Sequence, residues 1–239
     1  MNAQQLYQAG RHDDAVQALA AALRSNPGDV RARTFLFELL CFAGQYERAE
    51  KQLDILADTS KEANLGAMLY RSALHAERTR QEMFETVGAV HGTAPTASVS
   101  GTLNGQPFTS ITDADPRIGA RLEVFAAGQY TWIPFSRIRA LRVEPPKRLR
   151  DLLWAPARIE AGPASGAVEL GEVLLPAVAP LSWKHPEGAV RLGRTLEWDD
   201  SADGEPIPYG PKVLLVDGEP VPILELRELE ISGGISPED

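Results

Sequence analysis

Apolar positions recur at helical spacing through the first third of the chain and alternate along short runs through the rest. In VRARTFLFELLCF, residues 30–42, stepping at helical spacing puts Arg31, Thr34, Glu38 and Cys41 on one side. Phe35, Leu36, Leu39 and Leu40 then suit packing against neighbouring helices, and Phe37 lies between the sets. Shifting the sequence by 34 residues superposes Gly10 on Gly44, His12 on Tyr46, Ala15 on Ala49 and Leu19 on Leu53. That offset is the tetratricopeptide period, in which a small residue lets paired helices approach and a glycine ends the preceding helix. The first repeat lacks most of its leading helix, and Arg33 and Phe37 depart from the usual pattern, so the array is degenerate. Lys61 to Val87 contains no proline, and its apolar residues from Leu65 to Phe84 predict one long amphipathic helix that caps the array.

The texture then changes. GAVHGTAPTASVS (88–100) is small and polar and reads as a linker, placed at residues 91–100 between a helical domain (1–90) and a β-rich domain (101–239). Asn104-Gly105 signals a hairpin, and Leu122–Phe125 and Tyr130–Ile133 flank a turn at Ala126–Gln129. Further strands are predicted at Val168–Leu175 and Ala189–Trp198. Asp217-Gly218 is expected to join Val213–Val216 to an alternating run Ile223–Ile231, with a β-bulge at Arg227-Glu228. Eighteen prolines, mostly in this half, favour a small curled sheet or barrel. The fold class is therefore α+β.

Residues 136–160 join these parts, with six basic residues from Arg137 to Arg150 around the Pro145-Pro146 break. They predict a turn of helix near Arg137–Ala140, a strand to Glu144, a compact turn Lys147–Trp154 and a second strand from Ala157. Within them, EPPKRLRDLLWAPA (Glu144–Ala157) closely resembles the signature of the TagJ/ImpE family of type VI secretion accessory proteins. The likeness extends to RTFLFELLCFAGQYERAEKQLDIL (Arg33–Leu56), DADPRIG (Asp113–Gly119) and LGRTLEW (Leu192–Trp198). The resemblance implies a non-enzymatic adaptor that binds the N-terminal helix of the small contractile-sheath subunit. It also implies a link to the ATPase that recycles contracted sheath.

Composition narrows the alternatives. The 239 residues carry a net charge of −9, and neither half is basic, since residues 1–95 hold 10 basic and 12 acidic side chains and residues 96–239 hold 14 and 21. A phosphate-backbone binder needs the opposite balance, so no nucleic-acid partner is expected. No apolar run reaches the length of a spanning helix and no signal peptide opens the chain, which points to the cytoplasm and to no membrane partner. Cys41 is the single cysteine and reads as a small core residue.

Phosphate-loop, dinucleotide, zincin and nucleophile-elbow motifs do not occur, and the four histidines are scattered. No cofactor or metal is expected. Asp199, Ser201, Asp203 and Gly204 match four positions of a calcium loop, but Gly210 stands where the closing glutamate belongs, so Asp199 to Glu205 reads as an acidic solvated loop. A competing reading is a ligand-binding or hydrolytic β domain with a helical protein-interaction appendage.

The candidate binding surface is the exposed side of the 30–42 helix: Arg31, Thr34, Phe37, Glu38 and Cys41. Phe37 packing beneath the long helix is an equal alternative. A second candidate surface is Arg137, Arg139, Arg148, Arg150 and Trp154. The other tryptophans, Trp132, Trp183 and Trp198, are expected mainly in the core.

Overall fold

The computed structural model describes residues 1–86, 99–162, 171–200 and 206–234. Five helices open the chain: α1 (Ala3–Gln8), α2 (His12–Ser25), α3 (Val30–Phe42), α4 (Tyr46–Ala57) and α5 (Lys61–Thr86). Their ends follow local chemistry. Asn2 and Gln5 form a reciprocal capping box on α1, and the Asp29 carboxylate accepts the Ala32 amide at 3.0 Å to start α3. Gly10 and Gly44 sit at φ +72° and +66°, the left-handed backbone that ends the first helix of each repeat. Ala15 and Ala49 are both wholly buried, the close helix contacts expected from the 34-residue offset.

The β-rich part is built on an open, antiparallel eight-stranded sheet. From edge to edge its strands are β2 (Gln106–Phe108), β1 (Val99–Leu103), β13 (Glu228–Gly234), β6 (Ile138–Val143), β7 (Trp154–Ala161), β8 (Gly171–Pro176), β4 (Arg121–Ala126) and β5 (Gln129–Pro134). A three-stranded sheet of β3 (Ile111–Asp113), β11 (Val213–Val216) and β12 (Glu219–Pro222) packs on one face, and β9 (Glu197–Asp199) pairs with β10 (Ile207–Tyr209). The edges β2 and β5 do not meet, so the sheet is open and the barrel alternative does not hold.

Period-two alternation divides the core. Leu122 and Val124 of β4, with Val173 and Leu175 of β8, point into the cluster beneath the three-stranded sheet. Phe125, Trp154 and Leu174 point the other way and join one continuous core with α2 to α5. The helices and the sheet thus share a hydrophobic interior.

Hairpin turns are placed as their residues predict. Asn104-Gly105, Ala127-Gly128 and Asp217-Gly218 all have positive φ at both positions, the geometry that matches strand twist.

Several expectations are corrected. Residues 189–198 do not form one strand: a short helix, α6 (Gly188–Arg191), precedes β9, because this segment docks on the helices. The Asp217-Gly218 turn leads to Glu219–Pro222, and the phase slip at Arg227-Glu228 marks where β13 begins. Register shifts fall instead at Ile138/Ala140 and at Ser100/Gly101, where a β-carbon on Gly101 would meet the Glu230 carbonyl oxygen at 1.9 Å. The helical turn of the joint is at Phe135–Arg137, so its strand starts at Ile138. β1 begins at Val99, inside the expected linker; residues 91–98 lie outside the described residues, as do 201–205 of the acidic loop.

Candidate functional site

The two candidate surfaces converge from opposite ends of the chain. Pro145-Pro146 ends strand pairing, and the following turn is held by Asp151, whose carboxylate accepts the amides of Lys147 at 2.8 Å and Arg148 at 2.9 Å. A tight helical turn, Leu149–Leu152, then lies against α3. Between them runs a groove of about 790 Å³ with Arg31, Thr34, Phe35 and Glu38 on one wall and Pro146 to Leu149 and Leu152 on the other. Arg31, Thr34 and Glu38 share the groove side of α3, as helical spacing requires.

The remaining candidates divide. Phe37 is 2% exposed and packs on Tyr70 of α5 at 6.0 Å between ring centroids, so it lies under the long helix and is not offered to a partner. Cys41 is 3% exposed in the helical core, and burial pushes its thiol well above the usual range. Arg148 lines the groove, whereas Arg150 turns its guanidinium over the Tyr70 ring at 4.3 Å. Arg137 and Arg139 lie outside the groove lining, and Arg139 pairs with Glu160. Trp154 is buried. Trp198 is 42% exposed, contrary to the core expectation.

A second groove, about 890 Å³, runs between α5 and the helix-facing side of β7 and β8. The α5 stripe caps the array through Ala67, Ala73, Leu74 and Ala76, but Leu65, Met68 and Leu69 are exposed, Leu69 on the lining of this groove. Its charges are satisfied internally: Arg142 pairs with Glu228, Arg158 with Glu172 and Lys147 with Glu144.

Glu38 is different. It is 7% exposed, and burial, then the nearby charge of Asp151, raises its pKa to about 7 against a partial offset from Arg148. A raised carboxyl pKa favours the protonated folded state, so its stability contribution is fully present below about 4.5 and is lost as pH rises through 7. Glu38→Gln should therefore match the wild type near pH 4 and exceed it at pH 8 by up to about 3 kcal/mol, the value of the shift at about 1.4 kcal/mol per unit. Denaturant unfolding at both pH values measures this. Equal stability at pH 8 would contradict it.

What positions the groove is a buried polar network that the sequence reading missed. Arg80 of α5 donates to both oxygens of Glu123 on β4 at 2.7 and 3.0 Å, to Glu77 at 3.1 Å and to the Val178 carbonyl at 3.0 Å. Lys212 reaches Asp113 at 2.6 Å and also pairs with Glu123, and the Tyr130 hydroxyl donates to Glu123 at 2.6 Å. Glu77 also accepts from Gln81 at 2.6 Å and, on its other oxygen, from the Trp154 indole at 2.9 Å. Trp154 follows the groove turn by two residues, so the network anchors that wall to α5.

A second seam fixes the repeats. Trp183 packs where a β-carbon on Gly44 would stand, and Gly188 meets the Gly10 carbonyl with no room for a side chain. Arg191 pairs with Asp13 through two bonds of 3.2 and 2.7 Å. Arg194 of LGRTLEW donates to the carbonyls of Tyr7 and Gln8 at the C-terminal end of α1 and stacks on the Tyr7 ring at 4.3 Å. The motif residue completes a helix.

The family model for the ImpE protein matches residues 105–230, and a tetratricopeptide repeat model matches residues 6–72. The chain belongs to the ImpE family. It is 34% identical to the type VI secretion system accessory component TagJ of Pseudomonas aeruginosa, over 96% of this chain and 91% of that protein. The X-ray structure of protein VPA1032 from Vibrio parahaemolyticus shares the fold with a TM-score of 0.84 at 23% identity, covering 96% of this chain and 97% of that one. No described helix is long and apolar enough to cross a membrane.

Proposed function

We propose that this protein is a non-enzymatic accessory adaptor of a type VI secretion system, working in the cytoplasm. Its ligand is the N-terminal helix of the small contractile-sheath subunit, and through it the protein is linked to sheath assembly or ATPase-driven recycling. The accessory role rests on family membership and on the TagJ relative. The observation that carries the binding mode is the groove between α3 and the 146–152 turn, with an apolar floor including Phe35 and Leu152 and charged residues along its length. Amphipathic helices are held this way, by an apolar stripe in a groove with charges that fix register.

Arg31 and Arg148 stand on opposite walls, and neither makes an ion pair among the described residues. Their joint reversal, Arg31→Glu with Arg148→Glu, should leave the fold intact and weaken binding of a sheath-subunit helix peptide by about tenfold or more, since charge pairs at interfaces are each worth roughly 1 kcal/mol or more. Isothermal titration provides the comparison. Unchanged affinity would move the site to the groove along α5.

A further inference from the structure

The groove holds a carboxyl group with nothing to bind. Glu38 is 7% exposed and lines the groove, yet no hydrogen bond reaches its carboxylate among the described residues. The groups around it are known. Asp151 and Arg148 face it from the turn, Tyr70 from α5, and Cys41 from its own helix, while Arg31 and Lys147 line the same groove. Asp151 already accepts two backbone amides on Oδ2, whereas neither oxygen of Glu38 has a donor among the described residues. A buried carboxylate without donors is strongly unfavourable, and a second carboxylate beside it makes it more so.

We propose that Glu38 is the receptor for one cationic side chain, lysine or arginine, carried in the apolar stripe of the partner helix. Charge complementarity sets the rest of the partner: a single basic residue meets Glu38, and acidic residues on the flanks meet Arg31 and Arg148. The proposal rests on the adaptor reading for the identity of the helix only. In the free protein the raised pKa, about 7, keeps Glu38 mostly protonated at pH 6 and about half protonated at pH 7. When the cation arrives, the proton on the carboxyl oxygen leaves to solvent and the ion pair forms in its place, so binding strengthens as pH rises.

The test uses the full chain and its Glu38→Gln variant with three probes at pH 6 and pH 8. They are the sheath-subunit helix peptide, a designed amphipathic helix with one central lysine and acidic flanks, and the same designed helix with that lysine changed to glutamine. With the free pKa at about 7, the wild type should bind the cationic helices about tenfold more tightly at pH 8 than at pH 6. E38Q, and the glutamine helix on either protein, should show a flat profile. If the lysine helix behaves so while the sheath peptide does not bind, the inference stands and the named partner falls. If the sheath peptide binds with no pH dependence and no loss in E38Q, the inference is overturned and the adaptor reading survives. No preference for the lysine helix over its glutamine counterpart also overturns it.

Discussion

Arg80→Leu should destabilise the protein by about 3–5 kcal/mol, because removing one member of a buried charge network leaves its partners uncompensated in a dry interior. Arg80 is 1% exposed and serves Glu123, Glu77 and the Val178 carbonyl together. Burial alone would lower its pKa, but the two carboxylates more than restore it, so it remains charged. Burial likewise pushes Glu123 up, and Arg80 and Lys212 together hold it well below the usual carboxylate range. A depressed carboxyl contributes stability that is present above its unfolded pKa and is lost as pH falls through the folded one. Without Arg80, Glu123 would take up a proton more readily, so the deficit should be larger at pH 8 than at pH 5. Denaturant midpoints at unchanged slope measure both. Arg80→Leu combined with Glu123→Leu should cost less than the sum of the single changes, since the orphaned charge is then gone. Strict additivity would show that the pair does not act as a unit.

This network also marks where reading the sequence stops. Helical periodicity is local, so α3 appears at Val30–Phe42 and the 34-residue offset finds both Ala15 and Ala49 in the core. Hairpin turns are equally local, because Asn-Gly and Asp-Gly tolerate positive φ. Glu77, Arg80 and Gln81 stand at spacings of three and four, and so look like an ordinary solvated helix face. Glu123 lies between Leu122 and Val124, and so looks like the outward polar residue of a half-exposed strand. Only the packing of α5 on that outward face buries all four. The signal available was weak and confined to Glu123, an acidic side chain in the otherwise apolar run Leu122–Ala126.

The same limit explains the misplaced strand at 189–198 and the divided candidate surface. Val190 and Leu192 alternate with polar residues as in a strand, but Gly188 meeting Gly10, and Arg191 and Arg194 meeting α1 and α2, settle that segment against the helices. Phe37 fell between the two sides of α3 by spacing, and the position of Tyr70 on α5, a tertiary fact, decides it. Arg31, Thr34 and Glu38 were legible because one helix side suffices to group them. Their meeting with Arg148 was not, because more than a hundred residues separate the two walls.

Trp154→Ala should destabilise by about 3–5 kcal/mol, the usual range for truncating a buried aromatic. Trp154 is 2% exposed and belongs to the core shared by the helices and the sheet, while its indole N–H satisfies Glu77 at 2.9 Å. Trp154→Phe separates the two contributions. It keeps most of the packing but leaves a buried carboxylate oxygen without its donor, for about 1–3 kcal/mol. Chemical unfolding followed by far-ultraviolet circular dichroism reads both variants, and a phenylalanine variant as stable as the wild type would remove the indole bond from the account. The effect should reach the groove, because Leu152 and Arg148 lie just before Trp154 on the wall that faces α3. With the anchor to Glu77 cut, that wall loses its fixed distance from Glu38, and a partner helix must supply the ordering itself. Trp154→Phe should therefore weaken binding of the helix peptide by several-fold at a temperature where the fold is intact, although Trp154 is buried and does not line that groove.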